Sequence, residues 1–329
     1  MSRTLRAQHQ RFALTRPFRI ARGVKTAAEV VEVIIEDEGF SGRGESVPYA
    51  RYGESIDTTL AAIEEVRAAV EGGAGREMLL SMLPAGAARN ALDCAMWDLE
   101  ARRTGTTVAD MIGAPAPGPT PSAITIVIDT PEAMAAAATK VRHAPLLKVK
   151  VDAEDPAARI RAVRDAAPET ALIIDPNESW NRALLEAMQP VLAESGVALL
   201  EQPLPAEADD CLEGFAPAIP ICADESVHVA EDLPVVARRY QFVNVKLDKA
   251  GGLTAALRLA EAARARGLGL MTGCMVSSSL SIAPALHVAR LSDFVDLDGP
   301  LWLLEDRPRG VRDQGGTLFP PETGFWGEP

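Results

Sequence analysis

Lys148 and Lys150 stand two residues apart in the run LLKVKVD, residues 146–152. The Leu and Val around them read as a buried β-strand, and on a strand residues two apart share a face. Two ammonium groups on one face of a core strand repel each other and are costly to desolvate. A packed core has no use for such a pair, so anions are expected beside it. Four later apolar runs each end on a charged residue: Asp175 in IIDPNESW, Glu201 in ALLEQPLP, Asp224 in PICADES and Lys246 in FVNVKLDKAGG. From Lys150 onward the spacings are 25, 26, 23 and 22 residues, the length of one strand, one helix and two loops. In a parallel barrel the C-terminal ends of the strands open on one mouth, where barrel active sites lie. The mouth is therefore expected to hold lysines on two sides of three carboxylates.

The elements that must position these residues are legible in the periodicity. Eight strand candidates run from residue 120 onward: 123–128, 146–150, 171–175, 197–201, 220–223, 241–246, 268–271 and 294–298. Helical segments such as MAAAATKVRHA, AARIRAVRDAA, RALLEAMQPVLAES and LTAALRLAEAARARG fill the gaps, so strand and helix alternate as in a barrel. Residues 1–115 differ. Weakly alternating strands and a hairpin over VVEVIIEDEGFSGRGES precede two helices, at 57–71 and from Pro84 to Gly105. Strands first and helices after suggest an α+β capping domain, and the alanines of AGAARNALDCAMWDLEARR allow a neighbour to approach closely. The expected fold is α/β: a modified TIM barrel, (β/α)7β, over 116–300, with a tail over 301–329 that packs back on the capping domain.

Composition narrows the function classes. The chain has 329 residues and a formal net charge of −13, which argues against nucleic acid or an anionic membrane as partner. Cys94, Cys211, Cys222 and Cys274 are scattered and read as reduced thiols of a cytoplasmic protein. The N-terminus shows no apolar signal segment, and no run approaches membrane-spanning length. A homo-oligomer is compatible with all of this.

Together these motifs resemble the enolase superfamily, muconate-lactonizing subgroup. The resemblance rests on K-X-K at 148–150, D-X-N-X-X-W at 175–180, E-Q-P at 201–203, A-D-E-S at 223–226, K-X-X-K-X-G-G at 246–252 and the A-A-R-N-A-L-D helix at 87–93. Within the subgroup, D-X-D at 296–298 and G-C-M at 273–275 are similar to those of dipeptide epimerases, Ala-Glu epimerases in particular.

The resemblance implies Mg²⁺ held by Asp175, Glu201 and Asp224, and the residue types agree. Three carboxylates without His or Cys suit a hard, oxygen-seeking cation better than zinc. It implies Lys150 and Lys246 as acid/base pair, with Lys148 as supporting cation. On the second and sixth barrel strands they would flank a substrate carbon from opposite sides, which is the arrangement for 1,1-proton transfer through an enediolate. Enzymes of this superfamily use a Lys or His base together with Mg²⁺. A lysine is protonated at neutral pH, so burial and nearby positive charge are expected to lower the pKa of the base. For substrate binding the resemblance implies Asp296 and Asp298 on a dipeptide ammonium and Arg22 on the acidic side chain of its second residue. Cys274 and Met275, in an acid-free loop after the seventh strand, would be further substrate-binding residues that leave the fit of the first residue open, with Asn177, Glu225, Asp248 and Lys249 in support. Alternatives within the superfamily are an N-acylamino acid racemase, o-succinylbenzoate synthase or muconate cycloisomerase. An alternative of another class is a Schiff-base barrel aldolase with Lys148 or Lys150 as nucleophile.

Overall fold

The computed structural model describes residues 3–329. Its N-terminal part is an antiparallel meander of β1 (Thr4–Ile20), β2 (Gly23–Asp37) and β3 (Phe40–Ser46). The β1–β2 register slips between Ala13 and Phe18, which bends the hairpin and carries its tip, Ala21–Arg22, away from the sheet. Three helices follow: α1 (Ile56–Glu71), α2 (Arg76–Met82) and α3 (Ala87–Thr104). Ser55 and Thr58 form a reciprocal cap at the start of α1. Val31, Val33 and Ile35 of β2 pack on Ile63, Val66 and Val70 of α1 and on Leu92, Met96 and Leu99 of α3. The helix α3 lies very close to β3, because Gly42 and Gly44 face Ala91, Ala95 and Leu99. A Cβ at either glycine would strike the α3 backbone. A short α4 (Val108–Met111) and β4 (Thr120–Pro121) lead into the barrel.

The barrel strands are β5 (Ile124–Ile126), β6 (Leu146–Lys150), β7 (Ala171–Asp175), β8 (Val197–Glu201), β9 (Ile221–Ala223), β10 (Phe242–Val245), β11 (Gly269–Gly273) and β12 (Phe294–Asp296). They pair in sequence order, all parallel. The gap between β12 and β5 is closed by hydrogen bonds from Ala123 N to Val295 O (2.8 Å) and from Leu297 N to Ser122 Oγ (2.9 Å). Around the outside run α5 (Pro131–Val141), α6 (Pro156–Ala166), α7 (Arg182–Glu194), α8 (Leu233–Val236), α9 (Leu247–Ala250), α10 (Leu253–Ala265) and α11 (Ser279–Ala289). The fold is thus a modified TIM barrel under an N-terminal α+β cap.

Two elements depart from the expectations. The helix α2 falls in a stretch to which periodicity assigns no element. Between β8 and β9, where a barrel helix belongs, there are only two short 3-10 turns, Ala206–Ala208 and Asp210–Leu212. Pro203, Pro205, Pro217 and Pro220 crowd that interval, and each removes a backbone donor and blocks helix in the preceding turn.

The tail binds the two parts together. Trp302 packs edge-on against Phe18 of β1, with ring centroids 4.7 Å apart. Trp326 donates to the carbonyls of Arg43 (2.9 Å) and Cys94 (3.2 Å). Arg307 pairs with Glu32 and Glu45, each at 2.9 Å. The strands β13 (Arg312–Gln314) and β14 (Thr317–Phe319) join β4 in a small antiparallel sheet.

Candidate active site

Alternation along each strand builds the site. On β6, Leu147 and Val149 point outward into the helix layer, whereas Leu146 faces the barrel interior and Lys148 and Lys150 follow on its side. The same rule turns Ile173 and Asp175 inward on β7 and Leu199 and Glu201 inward on β8. Cys222 and Asp224 do so at β9, and Phe294 and Asp296 on β12. The interior therefore has an apolar floor of Ala123, Leu146, Ile173, Leu199, Cys222 and Met271. Above it lies a charged layer at the C-terminal mouth, in which Lys148, Lys150, Lys246, Asp175, Glu201, Asp224 and Asp296 are all buried.

These charges meet directly. Lys148 Nζ lies 2.7 Å from Glu201 Oε2, 2.7 Å from Asp296 Oδ2 and 3.2 Å from Asp175 Oδ2. Lys150 Nζ donates to Asp175 Oδ2 at 2.5 Å, and Lys246 Nζ to Asp224 Oδ2 at 2.6 Å. Lys150 and Lys246 line opposite sides of one pocket of about 610 Å³. Lys249, expected from the motif in a supporting place, contacts Asp224 Oδ1 at 2.7 Å and donates to the Asn244 carbonyl at 3.0 Å.

The motif residues between the charged ones hold the strand ends in place. Asn177 donates to both oxygens of Asp175, from its backbone at 2.9 Å and its amide at 3.1 Å. It does so from a left-handed conformation, φ 47°, which asparagine tolerates better than most residues. Gln202 accepts from Asp224 N at 2.8 Å and donates to Ser226 Oγ and Tyr240 Oη, tying the end of β8 to the loop after β9. Asn244 donates to Glu201 Oε1 at 2.8 Å.

Burial and charge set the protonation states. Burial pushes Glu201 up to about 7, helped by the negative charge of Asp175. Burial opposes ionisation of Asp175 too, but Lys150 and Lys148 outweigh it and hold that carboxyl at about 2. Asp224 is likewise held well below the carboxylate range by Lys246 and Lys249, against its burial. Burial raises Glu225 to about 7, reinforced by Asp224. The lysines carry the opposing charge. Burial does pull the Lys148 and Lys246 ammonium groups down, but the carboxylates they touch overcome it, and both are held above the ordinary range. Neither is a ready base while those carboxylates carry full negative charge beside it.

That excess of negative charge bears on the metal. Among the described residues no three His, Cys, Asp or Glu side chains are grouped as a ready-made metal cluster. Lysine ammonium groups lie among the carboxylates instead. The donor set nevertheless fits a hard divalent cation. Asp175, Glu201 and Asp224 are buried oxygen donors at adjacent strand ends, and Glu201 Oε2 and Asp224 Oδ1 meet only lysine ammonium groups, Lys148 and Lys249, each at 2.7 Å. Glu201 at about 7 is a carboxyl whose ionised form needs more positive charge than the lysines supply.

The cap supplies the roof. Arg22, at the tip of the β1–β2 hairpin, reaches Glu178 Oε2 (2.9 Å), Glu225 Oε1 (2.5 Å), Tyr49 Oη (3.1 Å) and the Asn177 carbonyl (3.1 Å). Arg51 forks onto the same Glu178 at 2.8 and 2.9 Å. Glu178 therefore pins two cap loops over the mouth, a role its place in D-X-N-X-X-W does not disclose. Asp296, Asp298, Cys274, Met275, Asn177 and Glu225 all line the pocket. Asp298 Oδ2 accepts from Thr125 N at 2.8 Å and from Trp302 Nε1 at 3.2 Å, and burial together with Asp296 raises this carboxyl to about 6. Asp296 Oδ1 has no partner. Asp248 is buried outside the pocket, below the cap. Lys25, on β2, is a site residue that the sequence motifs do not mark. It lines the pocket 4.8 Å from the Tyr49 ring, and burial lowers its pKa. Among the described residues it is the one pocket cation with no carboxylate within 4 Å.

Residues 132–322 match the family model described as enolase C-terminal domain-like. Residues 2–113 match that of the mandelate racemase / muconate lactonizing enzyme N-terminal domain. An L-Ala-D/L-Glu epimerase of Escherichia coli is 49% identical over 318 residues, 96% of this chain and 99% of that protein. An N-acetyl-D-glutamate racemase of a Pseudoalteromonas species is 45% identical, over 91% of this chain and 95% of that one. Among solved structures, an enolase family member from Agrobacterium tumefaciens with homology to dipeptide epimerases, bound to sodium and L-Ala-L-Glu, superposes with a TM-score of 0.96. It is 46% identical and covers 99% of this chain and 100% of its own. A dipeptide epimerase from Enterococcus faecalis complexed with Mg and L-Leu-L-Tyr superposes with a TM-score of 0.90 at 27% identity, over 98% of both chains.

Proposed function

The chain belongs to the mandelate racemase / muconate lactonizing enzyme family of the enolase superfamily, and on that premise we propose that it epimerises the C-terminal residue of an L-Ala-L-Glu-type dipeptide. The observation that carries the reading is the pair of lysines, Lys150 and Lys246, facing one pocket from opposite walls with carboxylates beneath both.

Mg²⁺ held by Asp175, Glu201 and Asp224 would supply fixed positive charge beside the substrate carboxylate, easing the negative charge that appears as the α-proton leaves. The chain's own groups do the rest. One lysine, as free amine, takes the α-proton from its face of the carbon. The other, as ammonium, delivers a proton to the opposite face. One C–H bond breaks, one forms, and the two lysines exchange protonation states. Lys148, in contact with three carboxylates, holds their charges together and is not the proton carrier.

The pocket wall also suits a dipeptide. Asp296 Oδ1 has no partner, and both hydrogen bonds to Asp298 end on Oδ2, so an oxygen of each is open to an ammonium group. Lys25 is the uncommitted cation for an acidic side chain on the second residue. Arg22, already engaged by Glu178 and Glu225, shapes that wall beside it. Cys274 and Met275 line the same pocket. Free cysteines and a dipeptide substrate suit a cytoplasmic enzyme acting on peptidoglycan peptides. A second reading, racemisation of an N-acylated glutamate, is favoured by the similar racemase.

Deuterium uptake at the α-carbon in D₂O with Mg²⁺ separates them, using L-Ala-L-Glu and N-acetyl-L-glutamate. Wild type should prefer the dipeptide. Asp298→Asn should lower its kcat/KM by roughly ten- to a hundredfold, the worth of one charge-assisted contact, with little effect on the acetyl compound. Equal losses on both substrates, or a wild-type preference for N-acetylglutamate, would leave only the family assignment standing.

A further inference from the structure

The two acid/base lysines are held by different means. Lys150 is a ladder residue of β6, in register with Asp175 of β7. Lys246 lies one residue beyond the last β10–β11 pair, Val245↔Thr272. It is the N-cap of α9, a four-residue helix that ends at Gly251 and Gly252, both with positive φ. A single helical turn does not hold itself.

The cap holds it. One face of α3 is given over to the segment that follows Lys246. Asn90 Nδ2 donates to Asp248 Oδ1 at 2.8 Å, and Val47 N donates to the same oxygen at 2.9 Å. Arg89 donates to the carbonyls of Ala250 (2.7 Å) and Gly251 (3.1 Å). Asp93 accepts from Thr254 N (2.9 Å) and Thr254 Oγ1 (2.6 Å). Arg89, Asn90, Asp93 and Asp248 are all buried. The start of α3 also carries the roof loop, since Glu54 accepts from Ala87 N at 2.7 Å and from Tyr49 N at 3.1 Å. The same helix thus fixes the roof and the backbone of one lysine.

We propose that Asp248, clamped by Asn90 of α3 and by the Val47 amide, is a positioning residue for Lys246, so that the cap domain sets one of the two proton-transfer directions. The inference rests on the two-lysine reading above. Misplacing a reacting group by about an ångström costs up to roughly a hundredfold, so the effect should be confined to the proton that Lys246 handles.

The test is α-deuterium exchange in D₂O by the Mg²⁺-loaded full-length enzyme, started separately from L-Ala-L-Glu and L-Ala-D-Glu. Lys246→Ala identifies the epimer whose exchange depends on Lys246. In Asp248→Ala and in Asn90→Leu, exchange from that epimer should fall at least about tenfold, and from the other stay within about threefold. Asp248→Asn, whose carbonyl Oδ1 can accept from both the Val47 amide and Asn90 Nδ2 as the carboxylate oxygen does, should restore it. Equal losses in both directions, unchanged exchange in both, failure of Asp248→Asn to restore, or failure of all three variants to fold would each overturn the positioning role. If wild type exchanges neither epimer, it is the two-lysine reading that fails.

Discussion

Replacing Lys25 by methionine removes a charge and keeps most of the aliphatic stem. Every other cation lining the pocket already has a carboxylate: Lys148 has three, Lys150 has Asp175, Lys246 has Asp224, and Arg22 has Glu178 and Glu225. A substrate side-chain carboxylate that met one of them would compete with a protein carboxylate. At Lys25 it would not. Burial and the positive charges of Arg22 and Lys246 both weigh against the Lys25 ammonium, with only Asp248 opposing, so an incoming carboxylate relieves that imbalance. A charge-assisted hydrogen bond contributes about 1.5–3 kcal/mol, and the half-buried position of Lys25 favours the lower part of that range. Lys25→Met should therefore lower kcat/KM for L-Ala-L-Glu by roughly 10- to 30-fold. L-Ala-L-Gln, of the same shape without the charge, should lose less than about threefold. Parallel kcat/KM measurements on the two dipeptides decide it. Equal losses would show that Lys25 shapes the pocket without reading the charge. Selective loss in Arg22→Met with none in Lys25→Met would return the recognition to Arg22.

Asp175→Asn, Glu201→Gln and Asp224→Asn should each abolish turnover while leaving far-UV circular dichroism unchanged, and chelation followed by added Mg²⁺ should remove and restore wild-type activity. Full turnover in a metal-free preparation would refute the role given to the three carboxylates. Burial also raises Asp93, on α3, to about 6. Its folded pKa lies above the unfolded value, so the folded state favours the protonated form, and the stability this lends below about pH 4 is lost as pH rises through 6. Asp93→Asn removes that dependence. The stability advantage of wild type over this variant, from urea melts at pH 4 and pH 7, should shrink by roughly 2 kcal/mol at the higher pH. A constant difference would show that Asp93 ionises freely in the fold.

The parts of the site legible in the sequence are those that a barrel strand delivers. A strand end is marked by its apolar run, and inward direction follows from period two, so Lys148, Lys150, Asp175, Glu201 and Asp224 can be placed on one mouth before any coordinates. Contributions from the cap are less legible. Lys25 sits at the exposed start of β2, between Val24 and Thr26, and reads as surface. Only the bend of the hairpin near Phe18 brings it over the mouth. Glu178 lies inside a recognised motif, but its work, pinning Arg22 and Arg51, depends on partners 127 and 156 residues away. The raised pKa values of Lys148 and Lys246 are not legible in sequence either, because burial is visible in it and the number of touching carboxylates is not. The missing fourth barrel helix is foretold by prolines that strand-and-helix counting sets aside.

The central claim is that Lys150 and Lys246 each serve one face of the same carbon. The most direct test is α-deuterium exchange by Lys150→Ala and Lys246→Ala, each started from L-Ala-L-Glu and from L-Ala-D-Glu in D₂O with Mg²⁺. Each variant should lose epimerisation and lose exchange from one epimer by at least about 10²–10⁴-fold, while the other epimer still exchanges at the lysine that remains. The two variants should fail on opposite epimers. Epimerisation at near wild-type rate in either variant, or loss of the same epimer in both, would contradict the account.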